Sequence, residues 1–265
     1  MKRNKIVVFK GGLGNQLFQY VFYTYLQHKG FKVRYLNKAK NSHNGLEVNK
    51  YFQTNMKAVS FYIDLLLRIC YKFRLTVLQH FRADDIGFNI NKIIFDGYWH
   101  NQAFYVQDLK FKKLNLNAKN ANVFDLITKT NSVSIHVRRG DYLTPKNIEI
   151  FGGICTLEYY KQAIEEIKKR LSNPKFFIFS NDIEWCEENF KELQPTYISW
   201  NAGNDSIYDM YLMSCCKANI IANSSFSYWG ARLGTNNIVV YPNKWFNNQP
   251  TPDIFDESWI SIDVL

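Results

Sequence analysis

The chain has 265 residues, enough for one large domain or two small ones, and with 46% hydrophobic and 21% charged residues it is neither disordered nor fibrous. Thirty-three basic against 23 acidic side chains give a net charge of +10, which favours anionic partners; the lysines are scattered, which argues against a nucleic-acid-binding arm. The five cysteines (Cys70, Cys155, Cys186, Cys215, Cys216) are odd in number and irregular in spacing, which excludes a disulfide framework and a Cys-x-x-Cys pair and points to a reducing compartment.

The start is basic, but only Ile6 to Phe9 is apolar before Lys10, too short for a signal-peptide core. Leu65-Leu66-Leu67 is broken by Arg68 and reads as a core helix rather than a span. The expectation is a cytoplasmic protein, with peripheral contact to the inner membrane left open.

In chain order, Ile6 to Phe9 is a short buried strand, followed by Lys10-Gly11-Gly12-Leu13-Gly14-Asn15-Gln16. Leu17, Phe18, Val21, Phe22, Tyr25 and Leu26 recur at helical spacing from Asn15 to about Lys29; Gly30 closes that helix and Phe31 to Leu36 returns as a strand. A polar, irregular stretch runs from Asn37 to Asn55. A helix over Val59–Phe81 and an aromatic turn, Phe95-Asp96-Gly97-Tyr98-Trp99, come next. Leu114 to Asn122, rich in asparagine, is the linker candidate. It divides the chain into an amino-terminal unit, 1–125, and a carboxy-terminal one, 126–265.

The second half alternates strand and helix. Val133–Val137 is a strand; Thr156 caps a helix whose Leu157, Tyr160, Ile164, Ile167 and Leu171 fall at steps of three and four. Strands at Phe176–Phe179, Thr196–Trp200, Ala218–Ala222 and Ile238–Tyr241, the last, alternate with helices at Ile183–Phe190, Asp205–Cys216 and Tyr228–Leu233. This pattern predicts a doubly wound parallel sheet with its ligand at the strand ends.

Three stretches carry chemistry. Ser134 to Tyr142 (Ser-Ile-His-Val-Arg-Arg-Gly-Asp-Tyr) is a strand that delivers Arg138, Arg139 and Asp141 past a glycine hinge, Gly140. Adjacent arginines need anions, and their planar forks suit phosphate; an Arg–Asp pair at a strand end is the structural alternative. Asn223-Ser224-Ser225-Phe226-Ser227 ends a strand at a helix N-terminus. One hydroxyl suffices for a cap, so three suggest an anion cradle and, with the arginines, a diphosphate held between two strand ends. The glycine loop is a poor dinucleotide fingerprint, with Leu17 in place of the third glycine and Arg34-Tyr35-Leu36 where an acidic ribose ligand belongs; no Lys-Ser or Lys-Thr follows it, which excludes a P-loop. Gly11, Gly12, Gly14, Asn15 and Gln16 still form a dense hydrogen-bonding surface, expected to approach a ligand. There is no Asp-x-Asp pair and no histidine–carboxylate metal motif, so no metal is expected.

These motifs, joined by Phe179-Ser180-Asn181-Asp182 and extended to Tyr228-Trp229-Gly230-Ala231, resemble those of the bacterial α-1,2-fucosyltransferases, glycosyltransferase family 11, in order and along nearly the whole chain. The chain is short for that family, and Tyr228 stands where its members often have Trp. The resemblance implies a GT-B-like α/β fold, two Rossmann-type domains with parallel sheets facing across a cleft. It implies GDP-β-L-fucose as donor, inversion at the anomeric carbon, no metal, and a terminal β-galactoside, free or lipid-linked, fucosylated at its 2-hydroxyl. Carried over residue by residue, Arg138 grips the donor β-phosphate, His136 lies beside the nucleoside, and Asp209, sixteen residues before Ser225, reads guanine. Arg139, Asp182, Asn223, Ser224, Ser225, Phe226 and Ser227 complete the donor-binding set, and the glycine loop faces the acceptor. Arg138 stabilises the leaving diphosphate, and Asp141 is the candidate base, a structural role for it being the alternative. The rival readings are an epimerase or reductase acting on nucleotide sugars, which lacks its Tyr-x-x-x-Lys pair here, and a non-catalytic GDP-binding module.

Overall fold

The computed structural model describes residues 4–39, 44–73, 75, 80–235 and 238–264. The chain divides into two compact units, Met1–Leu114 and Asn115–Leu265.

The first unit runs β1 (Asn4–Phe9), α1 (Leu13–His28), β2 (Lys32–Asn37), α2 (Val48–Tyr51), α3 (Phe61–Lys72), β3 (Arg82–Ala83) and β4 (Ile94–Phe95). All four strands are parallel, in the order β2-β1-β4-β3. A central parallel strand is covered on both faces and so reads as a continuous apolar run, and Val7, Val8 and Phe9 of β1 are fully buried. On one face Val8, Leu36 and Ile94 pack against Leu67 and Cys70 of α3. Elsewhere in the unit Phe22 of α1 stacks on Trp99 at 4.1 Å and lies edge-on to Phe104 at 4.8 Å, so part of the high aromatic content is core.

The helix expected over Val59–Phe81 is shorter: α3 ends at Lys72, residues 74 and 76–79 lie outside the described residues, and Arg82–Ala83 is a strand. β3 and β4 are two residues each, too short for any periodicity to announce, and α2 sits in the stretch expected to be irregular.

The second unit runs α4 (Ala118–Lys129), β5 (Ser132–Val137), α5 (Ile148–Phe151), α6 (Leu157–Arg170), β6 (Lys175–Ser180), α7 (Ile183–Phe190), β7 (Thr196–Ile198), α8 (Ser206–Ser214), β8 (Ala218–Ile220), α9 (Ser225–Arg232), β9 (Ile238–Pro242) and β10 (Ile260–Ile262). Its six strands are parallel in the order β10-β9-β8-β5-β6-β7, a doubly wound order that reverses between β5 and β8. The two-residue period of a strand sorts its side chains to opposite faces. Phe176 and Ile178 of β6 pack with α6 and α7, while Phe177 and Phe179 pack with Val123 and Ile127 of α4 and Leu212 and Met213 of α8.

Thr156 caps α6 as expected, its hydroxyl accepting from the Tyr159 amide. The asparagine-rich run is not simply linker. Asn117 caps α4 by accepting from the Asn120 amide at 2.9 Å, and the run is that helix's first turn. A further strand, β10, follows the one expected to be last and adds to the sheet edge beside β9. Helix α9 begins three residues before Tyr228, because Ser224 is its cap.

Candidate active site

In a doubly wound sheet the crevice for a ligand opens beyond the carboxyl ends of the strands flanking the reversal. Here those strands are β5, which runs into Arg138 and Arg139, and β8, which runs into Asn223-Ser224-Ser225. The two motifs singled out in the sequence therefore meet at the topological switch point, with Ser180-Asn181-Asp182 beside them at the end of β6.

Each arginine is held by a carboxylate. Arg138 grips Asp141 with two nitrogens, Nε to Oδ1 at 2.8 Å and Nη2 to Oδ2 at 3.0 Å. Arg139 donates from Nε to Asp182 Oδ2 at 2.9 Å and lies over the Trp185 ring at 4.4 Å, while the other Asp182 oxygen caps α7 by accepting from the Trp185 amide. Asn181 ties the turn together: its Oδ1 accepts from the Arg139 amide at 3.1 Å and its Nδ2 reaches Asp141 at 3.4 Å. Gly140 is required by this close approach, since a Cβ there would stand 2.5 Å from Asn181 Nδ2. Arg138 and Arg139 keep a third of their side-chain surface or slightly less exposed, and both line a cavity of about 240 Å³ with Tyr142, Phe151, Cys155 and Asn223.

The hydroxyl loop is less open than three serines suggest. Ser224 caps α9, its Oγ accepting from the Phe226 amide, and Ser227 is fully buried with its hydroxyl donating to the carbonyls of Ala222 and Ser224. Ser225 alone has a hydroxyl without a partner among the described residues, at the first position of an eight-residue helix. The Asn223 amide donates to the Phe151 and Trp245 carbonyls and so fixes the loop rather than facing outward. The anion-binding potential thus rests on Arg138, Ser225 and the helix N-terminus, and not on all three hydroxyls.

His136 is buried on β5, with its Nδ1 unpartnered among the described residues and Phe226 5.9 Å away. Burial, reinforced by the Arg138 charge, pushes its pKa down to about 3, so the imidazole is neutral. Tyr142, absent from the sequence-derived set, stacks on Phe151 at 4.7 Å and donates to the Asn223 carbonyl at 3.1 Å; it links the arginine loop to the serine loop.

Asp209 does not line the arginine cavity. It sits in the first turn of α8, where Asn201 Nδ2 donates to its Oδ1 at 2.7 Å. Asn201 and Asn120 exchange two amide bonds at 2.9 Å, and Trp200 Nε1 also donates to Asn120. Burial pushes Asp209 up to about 7, with the Asn201 bond only partly opposing it. Gly230 lets α9 lie against α8, because a Cβ there would come within 2.9 Å of Met213. Asn120 could not be found from the sequence: its signal is the asparagine run, which reads as linker.

In the first unit, Gly11 has φ +75°, open to glycine at no cost, and a Cβ there would crowd Asn15 at 3.0 Å. Gln16 is fully buried and structural, bonding the Gly11 and Gly45 carbonyls and accepting from the Glu47 and Val48 amides. Asn15 stays open enough to meet His100 at 3.3 Å, and Tyr98 stacks on that ring. His100 is pushed down to about 4 by burial. Trp99 between them has φ 61°, held by Asp85, whose carboxylate accepts from the Tyr98 and Trp99 amides. Nothing in the local sequence pattern marked His100.

Among the described residues no group of three histidine, cysteine or carboxylate side chains is placed to hold a metal, and the five cysteines are free. No described helix is long and apolar enough to cross a membrane.

Two parallel-sheet α/β units, the second with a crevice at its switch point, define a GT-B-like fold. A glycosyl transferase family 9 protein from Veillonella parvula shares this fold, with a TM-score of 0.55 and 10% identity, over 99% of this chain and 86% of that one. The sequence profile of Glycosyl transferase family 11 matches residues 71–263. An α-1,2-colitosyltransferase of Escherichia coli is 32% identical over 96% of this chain and 97% of its own length. A human galactoside α-(1,2)-fucosyltransferase 1 is 31% identical over 42% of this chain and 31% of its own. The chain belongs to glycosyl transferase family 11.

Proposed function

We propose that the chain transfers L-fucose from GDP-β-L-fucose to the 2-hydroxyl of a terminal β-galactoside, inverting the anomeric carbon without a metal, in surface-glycan synthesis. The observation that carries this reading is the convergence of Arg138 and the α9 N-terminus, with its open Ser225, at the β5/β8 switch point. A guanidinium and a helix N-terminus are suited to the charge that develops on a leaving diphosphate. Asp209 would accept from the guanine edge through the oxygen that Asn201 leaves unbonded. The neutral His136 lies beside the nucleoside without repelling Arg138.

Both oxygens of Asp141 are engaged by one edge of the Arg138 guanidinium, Nε and Nη2, which makes it a poor base and a good positioning residue for that guanidinium. On this reading Asp141 aims Arg138 at the β-phosphate, and the base is a separate group. Asn15 and His100, at the glycine loop, are proposed to face the acceptor.

A second reading keeps the site and changes the sugar: the nearly full-length likeness to a colitosyltransferase favours colitose as the group moved. The experiment is transfer from GDP-L-fucose and from the nucleotide-linked colitose, each to a panel of β-galactosides with EDTA present, read by mass spectrometry. A product heavier by one fucose supports the first reading, and one heavier only by colitose the second. Binding of neither donor overturns both.

A further inference from the structure

Helix α3 has two apolar faces where a surface helix has one. Its inner face is complete: Leu67 and Cys70 are buried against Val8, Leu36 and Ile94, and Arg68 bonds both Asp64 and the Asn37 carbonyl. The other side carries Tyr62, Leu66, Ile69 and Phe73 at steps of four, three and four, flanked by Phe61 and Leu65, and each is between 43% and 80% exposed. A surface helix normally places polar side chains there, and a contiguous exposed patch of this kind marks an interaction surface.

We propose that α3 seats the amino-terminal unit on a lipid bilayer bearing anionic headgroups, lying in the interface plane. Twelve residues are too few to span a bilayer, and mixed aromatic and aliphatic side chains bordered by cations suit the headgroup boundary. The unit that carries α3 supplies the charge complement: residues 1–114 hold 19 lysine and arginine side chains against six aspartate and glutamate. Lys72 closes the helix, and the Lys38 ammonium sits 3.7 Å over the Tyr71 ring of α3. Lys38, Lys10 and Arg82 surround the single buried carboxylate of Asp96, three cations to one anion, at the carboxyl ends of β1, β2 and β4 and on β3. The excess charge next to α3 attracts anionic lipid. The excess also disfavours a second copy of the chain, since a two-fold contact through this face would bring two strongly basic units together.

The test is flotation of the full chain with vesicles of phosphatidylcholine alone and with about 30% phosphatidylglycerol. The chain should float with the anionic vesicles, less so as salt rises. The triple variant Tyr62→Ser/Leu66→Ser/Phe73→Ser should lose about tenfold or more of that binding, with its circular dichroism and thermal unfolding unchanged. Leu66→Glu, one charge in the middle of the patch, should do the same if the triple variant folds poorly. Absence of flotation, equal flotation of the folded variants, or a concentration-dependent dimer abolished by them would each overturn the proposal. None of these readouts depends on which sugar is transferred.

Discussion

Asp209 offers the sharpest handle on the proposed donor site. Burial holds it near 7 rather than in the ordinary carboxylate range, so its charge is set by pH within the working range. If the oxygen that Asn201 leaves unbonded accepts from the guanine edge, only the ionised form binds well. About nine-tenths of the molecules are ionised at pH 8 and about one-tenth at pH 6, so GDP affinity should fall about tenfold between them through this group. Asp209→Asn keeps the shape and the contact with Asn201 but removes the charge. It should weaken GDP by the loss of charge-assisted bonds, about 1.5–3 kcal/mol or roughly 10–100-fold at pH 8, and flatten the pH dependence. Calorimetric titration of GDP into both proteins at pH 6, 7 and 8 reads this directly, because the ligand's own phosphate titration is common to the two. The sign for the unliganded protein is opposite. A carboxyl whose folded pKa is raised contributes stability that is full below its unfolded value and lost as pH rises through about 7. Parallel pH slopes for the wild type and Asp209→Asn would refute guanine recognition by this residue.

Two further outcomes follow from the ion pairs. Asp141→Asn should weaken GDP binding and turnover together if Asp141 positions Arg138, whereas a base would lose about 10²-fold in kcat with GDP binding unchanged; steady-state kinetics beside calorimetry separate the two. In the first unit, burial raises the Asp96 pKa but its bond to Lys10 and the nearby cations more than offset this, and the net shift is downward. A depressed carboxyl stabilises above its unfolded pKa and loses that contribution as pH falls through its folded value, so stability should drop in acid, below about pH 4. Asp96→Asn, which leaves three cations without their anion although each keeps about a third of its side-chain surface in solvent, should cost about 1–3 kcal/mol at neutral pH and blunt that acid loss, read by chemical denaturation at pH 7 and pH 3.5.

The sequence carried the second unit better than the first. Long strands with β-branched and aromatic runs, such as Ser132–Val137 and Lys175–Ser180, announce themselves, and the Arg-Arg and Ser-Ser motifs fall at strand ends that the sheet order brings together. What stayed hidden is what depends on tertiary contact. β3 and β4 are two-residue strands defined only by pairing with β1 and each other. The partners of the arginines were assignable only in part: Asp141 could have bonded Arg139, and the fold gives it to Arg138, leaving Arg139 to Asp182. Serine count overstated the cradle, since a hydroxyl that back-bonds into its own helix, as Ser227 does, cannot be told from an open one by sequence.

On the proposed function, the β5/β8 switch point holds the donor diphosphate through Arg138. Titration of GDP, ADP and UDP into the wild type and Arg138→Ala tests it most directly. Binding should be saturable and prefer GDP, and Arg138→Ala should keep its fold but bind GDP about 10–100-fold more weakly, the loss of about 1.5–3 kcal/mol expected for a charged hydrogen-bond donor. Equal affinity for GDP in the two proteins would contradict it.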